Sequence, residues 1–343
     1  MTYIIRSARA DDLQALYEMA KSTGGGFTNL PPDRKSLTAK LDRAAAAFGR
    51  SDDEIADDLF VFVLENTATG DVRGTCQIFS QVGQKWPFYS YRMGVLTQHS
   101  GELGRTFRAE MLSLTTDLEG STEVGGLYLH QGERAGGLGM LIARSRYLFI
   151  RNHRARFSDK TLAELRGVID EAGGSPFWDG VAGRFFGMNF QQADEFNAVH
   201  GNQFIADLMP KHPVYTAMLP ETARAVIGIP HPTGRAAMRM LELEGFAWES
   251  YIDIFDGGPT MTARTDQIRS VREAKDALIT KVDNHLGDHK AGDKMLLACG
   301  RLDEFRAAYG WLSENAEGIA IDPQAAALLR VQPGDRLTYV PRW

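Results

Sequence analysis

The residues most able to do chemistry stand close together at Arg134-Ala-Gly-Gly137-Leu-Gly139, flanked by further glycines at 132 and 136. An apolar run ending near Leu129 precedes them, and an amphipathic stretch with Leu138, Leu141, Ile142, Leu148 and Phe149 on one face follows. That pattern predicts a strand, a polar loop and a helix. The first turn of a helix leaves N–H donors without internal partners and carries the positive end of the helix dipole, so a phosphate suits it. Glycines let such an anion reach the backbone. The spacing is R-x-x-G-x-G, which differs from the dinucleotide fingerprint G-x-G-x-x-G. The ribose-binding acid expected about 20 residues on is absent, because Arg154 to Asp159 has no strand before it. A lysine-bearing P-loop is excluded too.

A second stretch, Val226-Ile-Gly-Ile-Pro-His231-Pro-Thr-Gly-Arg235, reads as a short apolar strand meeting a proline-flanked turn. A helix then runs through Ala237, Met240 and Leu241 to Gly245, a suitable residue just past a helix end. A histidine titrating near neutrality can serve as a general acid or base. The residues alone favour a turn histidine bonded to a backbone carbonyl. Thr161–Asp170 is predicted to be a strand, which would put Glu164 and Arg166 on one side. Trp86–Met93 is predicted to be an aromatic strand whose Tyr89, Tyr91 and Arg92 belong either to the core or to a ligand cleft. No cysteine or serine stands in a nucleophile setting that would point to a covalent intermediate.

The elements that must position these residues belong to a chain of 343 residues, 43% of them hydrophobic, which is enough for a packed core. A net charge of −6 gives no electrostatic footprint for nucleic acid or an anionic membrane. No run approaches the ~18 apolar residues of a membrane span. The opening Met-Thr-Tyr-Ile-Ile-Arg enters a strand directly and lacks a signal-peptide pattern, so a cytoplasmic protein is expected. Cys76 and Cys299 are read as buried, reduced and structural. His285 and His289 are read as solvated rather than as metal ligands, because no glutamate or cysteine matches their spacing. Strand 3–6, helices from Asp11 and from about Asp33, and a hairpin of 59–65 with 72–79 precede the glycine loop. Ser175-Pro176 caps a further helix, residues 191 to about 225 form a helical insertion, and 246–255 is a strand. Charged residues 272–290 are expected to be a mobile connection. The domain reading is 1–270, followed by a small β-rich appendage over 271–343.

The strand, glycine loop and helix resemble the pyrophosphate loop of the GCN5-related acyltransferases. The fold expected is therefore α+β, with a mixed, mostly antiparallel sheet flanked by helices. A closer resemblance, to the arginine N-succinyltransferases, is carried from about residue 3 to 270 by Ser22-Thr-Gly-Gly-Gly-Phe-Thr-Asn-Leu-Pro31, Pro87-Phe-Tyr-Ser-Tyr-Arg92, Glu164-Leu-Arg-Gly-Val-Ile-Asp-Glu171, Ser175-Pro-Phe-Trp178, Phe204-Ile-Ala-Asp-Leu-Met-Pro210, His231-Pro232 and Tyr251-Ile-Asp-Ile-Phe-Asp-Gly-Gly-Pro259. It implies transfer of succinyl from succinyl-CoA, a co-substrate and not a resident cofactor, to the α-amino group of arginine and in some cases ornithine. It also implies His231 as proton donor and Leu127 as a succinyl-CoA residue, with Leu129, Arg134, Gly137, Leu138 and Gly139 completing the CoA site. Arginine's guanidinium needs acidic partners, for which Glu164, Asp170 and Glu171 are candidates. The succinyl carboxylate needs a cation, for which Arg92 and Arg166 are candidates. Tyr89 would line the same cleft. The segment 114–129 departs from the family's usual sequence, so the resemblance specifies the fold more tightly than the acyl group. A homodimer, or a heteromer with a related subunit, is the assembly it leaves open.

Overall fold

The computed structural model describes residues 2–22, 29–200, 203–209, 211–287 and 292–343. The glycine run at 24–26 and His289 lie outside the described residues. The fold is α+β, with mostly antiparallel strands flanked by helices, and it divides into two compact units. The first comprises Met1–Ser80, Val124–Asp159 and Thr265–Trp343; the second comprises Gln81–Glu123 and Lys160–Arg264. The strand Thr122–Leu129 runs from one into the other.

In the first unit, Tyr3–Ser7 lies between Leu59–Asn66 and Arg306–Asn315 and is antiparallel to both. Leu59–Asn66 returns as Asp71–Phe79 through the turn Thr67–Gly70, as the hairpin pattern predicts. Helix Arg34–Gly49 begins where Asp33 accepts the Ser36 N–H at 2.7 Å, and it buries Leu37, Leu41, Ala44 and Phe48. Helix Leu138–Asn152 brings Phe149 against Phe48, Phe60 and Phe62 with ring centroids 6.0, 4.9 and 4.9 Å apart. Each such pair adds about 1 kcal/mol beyond the area it buries.

His153 closes that helix inside this cluster. Its Nδ1–H donates to the Phe149 carbonyl at 3.0 Å, and its Nε2 accepts the Leu302 N–H at 3.1 Å, which leaves no site for a second proton. Burial, helped by the nearby Arg301 and Arg156 charges, lowers its pKa to about 4. The unfolded chain takes up that proton at the ordinary value of 6.5 and the fold does not. Stability is therefore full above 6.5 and falls as pH descends towards about 4, by roughly 3 kcal/mol in all. Urea unfolding from pH 7.5 to 4.5 is expected to show this loss in the wild type. A His153→Gln variant, which keeps one donor and one acceptor, should show a flatter dependence.

In the second unit, Ser90–Ser100 and Arg105–Thr115 form a hairpin paired along its whole length. Pro259–Arg264 lies between Lys160–Glu164 and Ala247–Ile252, antiparallel to both. The core gathers Tyr91, Phe177, Trp178, Ile205, Ile252 and Ile254. Trp178 stacks on Phe186 and Phe255, and its indole N–H donates to the Met188 carbonyl at 2.8 Å. Ser175 caps Pro176–Gly180 as expected. The 191–225 segment carries the helices Phe190–His200, Gln203–Leu208 and Glu221–Arg224.

Four expectations are corrected. The strand expected over 161–170 ends at Glu164, because the Gly167 N–H is taken by the Asp256 carboxylate at 2.8 Å and is lost to the ladder. The aromatic strand begins at Ser90 rather than Trp86, since Pro87 has no N–H to give a neighbour. The apolar run before His231 is a series of turns continuing from Glu221–Arg224, reversed at Gly228 with φ +68°. The charged connection is in part the strand Lys275–Val282, paired with Gly318–Ile321 and Arg336–Pro341. Lys275, Asp276 and Lys281 stay exposed while Ile279 is fully buried. Residues 271–343 belong to the first unit, where Arg306–Asn315 pairs with Tyr3–Ser7.

Candidate active site

In the first unit, the strand Thr122–Leu129 delivers the glycine loop. Gly126, at φ +58°, interrupts the extended strand one residue before the half-buried Leu127. Leu129 ends it, with a methyl facing Gly74. The chain then turns through a short 3₁₀ segment, Gln131–Glu133. Glu133 accepts from Tyr3 Oη at 2.5 Å and Arg73 Nε at 3.3 Å, which fixes one side of the loop. Gly136 and Gly137 both have left-handed φ, +67° and +83°, and Gly137 is the cap of helix Leu138–Asn152. The intrahelical ladder starts at Leu141 N–H to the Gly137 carbonyl, 3.0 Å, so the N–H groups of the first turn lie ahead of it. Leu138 is buried and its N–H donates to the Ala135 carbonyl at 3.4 Å, Gly139 is half-buried, and Arg134 is exposed.

The other side of the loop is held by residues that no local pattern identifies. Arg342 Nη2 donates to the Gly136 carbonyl at 2.8 Å, and its guanidinium lies 4.6 Å over the Tyr309 ring. The Tyr309 hydroxyl donates to the Gly137 carbonyl at 3.2 Å. A Cβ at Gly137 would sit 2.5 Å from Arg342 Nη2. Two hundred residues of sequence separate these partners, and only the fold joins them.

In the second unit, His231 lies between prolines, and its N–H donates to the Arg166 carbonyl at 2.7 Å beside the Gly167–Pro230 bridge. Its Nδ1 is 2.7 Å from Thr233 Oγ1 and 3.3 Å from the Thr233 N–H, while Nε2 has no hydrogen-bond partner among the described residues. The Thr233 N–H can only donate, which makes Nδ1 an acceptor and puts the neutral ring's proton on Nε2; the Thr233 hydroxyl can itself accept, so a shift of the proton to Nδ1 frees Nε2 as a base. Partial burial and the Arg166 charge lower the His231 pKa below its ordinary value. Arg166 Nε is buried without a hydrogen-bond partner among the described residues, which leaves one donor of this cation unsatisfied.

Glu164 stands at the end of Lys160–Glu164, in the field of Asp253, Glu123 and Asp256. Burial and those like charges raise its pKa well above the carboxylate range. Burial and the Asp253 charge push Asp256 up to about 8. Asp256 also accepts the N–H groups of Gly167 and Gly258, each at 2.8 Å, and Asp253 accepts those of Phe255 and Asp256. A cation reaching this group would restore the charged forms.

The remaining candidates have partners of their own. Arg92 is exposed and paired with Asp117 at 3.3 Å, and the Tyr251 hydroxyl donates to the same carboxylate oxygen at 3.0 Å. Tyr89 donates to Gln203 at 3.3 Å, and Tyr91 is buried in the core. Asp170 accepts the N–H groups of Ala172 and Gly174 and closes a turn, and Glu171 is exposed. Both cysteines are buried, with thiols raised to about 12, as inert thiols would be. His285 is exposed, and the described residues contain no metal-binding cluster.

Residues 3–270 match the family described as arginine N-succinyltransferase beta subunit, and residues 279–341 match the C-terminal domain of the same subunit. The chain belongs to this family. The arginine N-succinyltransferase of Enterobacter sp. strain 638 is 39% identical over 98% of this chain and 97% of its own. The subunit beta enzyme of Pseudomonas aeruginosa is 40% identical, with 98% of each chain covered. Among solved structures, the arginine/ornithine succinyltransferase subunit AI of Pseudomonas aeruginosa superposes with a TM-score of 0.87 at 30% identity, covering 99% of this chain and 98% of its own. Family membership makes this chain an acyl-CoA-dependent acyltransferase. No helix among the described residues is long and apolar enough to cross a membrane.

Proposed function

We propose that the chain transfers succinyl from succinyl-CoA to the α-amino group of L-arginine, with ornithine as a second acceptor. The observation that carries this reading is the acceptor side of the second unit. There an acid, Glu164, a cation with an unpaired nitrogen, Arg166, and a histidine with a free Nε2, His231, lie along one folded-back segment. An amino acid with a cationic side chain offers a group for each: a guanidinium for Glu164, a carboxylate for Arg166 and an amine proton for His231. The α-amine attacks the thioester carbonyl, His231 Nε2 takes its proton and returns it to the departing thiolate, and no acyl-enzyme forms. The glycine loop binds the CoA diphosphate through the N–H groups of the first turn of its helix. Arg92 is left to its ion pair with Asp117. Release of CoA thiol with succinyl-CoA and L-arginine tests the reading, beside acetyl-CoA and ornithine as alternative partners. Turnover with acetyl-CoA but not with succinyl-CoA would reject the succinyl assignment.

The subunit names of the relatives, with the altered 114–129 segment, favour one further element: assembly with a second copy or a related chain. Val95, Leu96, Leu103 and Phe107 on the hairpin of the second unit are exposed apolar residues suited to such a contact.

Arg342 should act through the loop and not on the reacting atoms. Arg342→Ala removes a charged hydrogen bond to Gly136 and is expected to raise the KM for succinyl-CoA roughly tenfold, with kcat within about twofold. Arg342→Lys should recover part of the loss. Initial rates against succinyl-CoA decide it, and an unchanged KM would remove Arg342 from the site.

A further inference from the structure

We propose that the first unit carries a second anion site, separate from the glycine loop, which binds a small oxyanion bearing two or more charges. A cleft of about 490 Å³ is lined by Arg6, Arg9, Glu65, Arg306, Gln324 and Arg330, together with small apolar and hydroxyl side chains. Four guanidiniums meet a single lining carboxylate. That carboxylate is already engaged, since Glu65 accepts from Arg6 Nε at 2.5 Å. The other nitrogens of Arg6 hold Asp12 at 2.8 and 2.9 Å. Arg9, Arg306 and Arg330 have no carboxylate within ion-pairing distance among the described residues. Arg306 gives one bond, at 3.3 Å, to the Leu328 carbonyl, and burial with the Arg330 and Arg9 charges lowers its pKa.

Two features make this more than an accident of surface charge. Arg330 is a non-glycine residue at φ +58°, placed just past helix Pro323–Leu329 in a conformation that costs about 1 kcal/mol. Strand Tyr3–Ser7 also separates the cleft from the CoA loop. Successive side chains of a strand face opposite ways, and while Tyr3 reaches Glu133 of the loop, Thr2 and Arg6 line the cleft. Three uncompensated guanidiniums match the oxygens of a polyphosphate or polycarboxylate, and the volume suits a small metabolite.

The test is isothermal titration of the full chain with pyrophosphate and with citrate, at matched ionic strength and in the presence of saturating CoA. Binding of at least one anion is expected, weakened tenfold or more in an Arg9→Gln/Arg330→Gln variant that binds CoA like the wild type. The relative affinity for the two probes reads whether phosphate or carboxylate is preferred. No heat with either anion, equal binding by the variant, or loss of anion binding when CoA is added would each overturn the proposal.

Discussion

Replacing His231 by alanine is expected to lower kcat by about 10²–10⁴-fold while leaving CoA affinity unchanged. An α-ammonium cannot attack a thioester until it loses a proton, and a thiolate leaves more readily on receiving one. His231 is tied at Nδ1 to Thr233 and free at Nε2, so it can do both in turn. Burial and the Arg166 charge lower its pKa and so favour the neutral ring. The neutral form is the active one, so kcat/KM should lose this contribution as pH falls through the lowered pKa, on the acid side of an ordinary histidine. Steady-state rates across pH with wild type and variant check both parts, and calorimetric titration with CoA confirms an intact loop. A variant with unchanged kcat would return His231 to the role of a turn residue.

The second large effect is expected at a residue that touches no substrate. A Cβ at Gly167 would lie 2.3 Å from the Asp256 carbonyl oxygen and 2.8 Å from the Gly258 nitrogen. Backbone, which cannot rotate away, stands in its path. Gly167→Ala must therefore push residues 165–167 off the 256–258 turn, breaking the bond from the Gly167 N–H to Asp256. Arg166 and His231 move with it, because the Arg166 carbonyl holds the His231 N–H. A displacement near 1 Å can cost about 10²-fold in rate, so kcat/KM for arginine should fall by about that factor while the KM for succinyl-CoA stays put. Kinetics with each substrate varied in turn separate the two. An equal loss for both substrates, or none, would contradict the positioning role.

The glycine loop was legible because its pattern is local: strand, polar glycines and amphipathic helix follow one another within thirty residues. His231 was legible as a turn histidine, but its surroundings were not. The apolar residues before it suggested a strand, whereas Val226 and Ile227 pack against the second unit's core from a turn. The strand read through Asp170 failed at Gly167, where a side chain distant in sequence takes the backbone donor. Asp253 and Asp256 lay inside a quoted motif, yet their burial with Glu164 depends on strand pairing across ninety residues. Arg342 and Tyr309 gave no signal near the loop they support. Short-range periodicity names elements well, while the partners of a buried charge are chosen by tertiary contact.

The pairing of Tyr3–Ser7 with Arg306–Asn315 also bears on the order in which the molecule can be made. During synthesis Tyr3–Ser7 finds one neighbour, Leu59–Asn66, early, but must wait some three hundred residues for the other. The second unit, whose segments all lie inside that interval, can close beforehand. Contacts so distant along the chain slow folding, because loop-closure entropy is lost before they form. A nascent chain should thus reach a folded second unit while its glycine loop still lacks Tyr309 and Arg342, and competence for acyl transfer would arrive only after they are made.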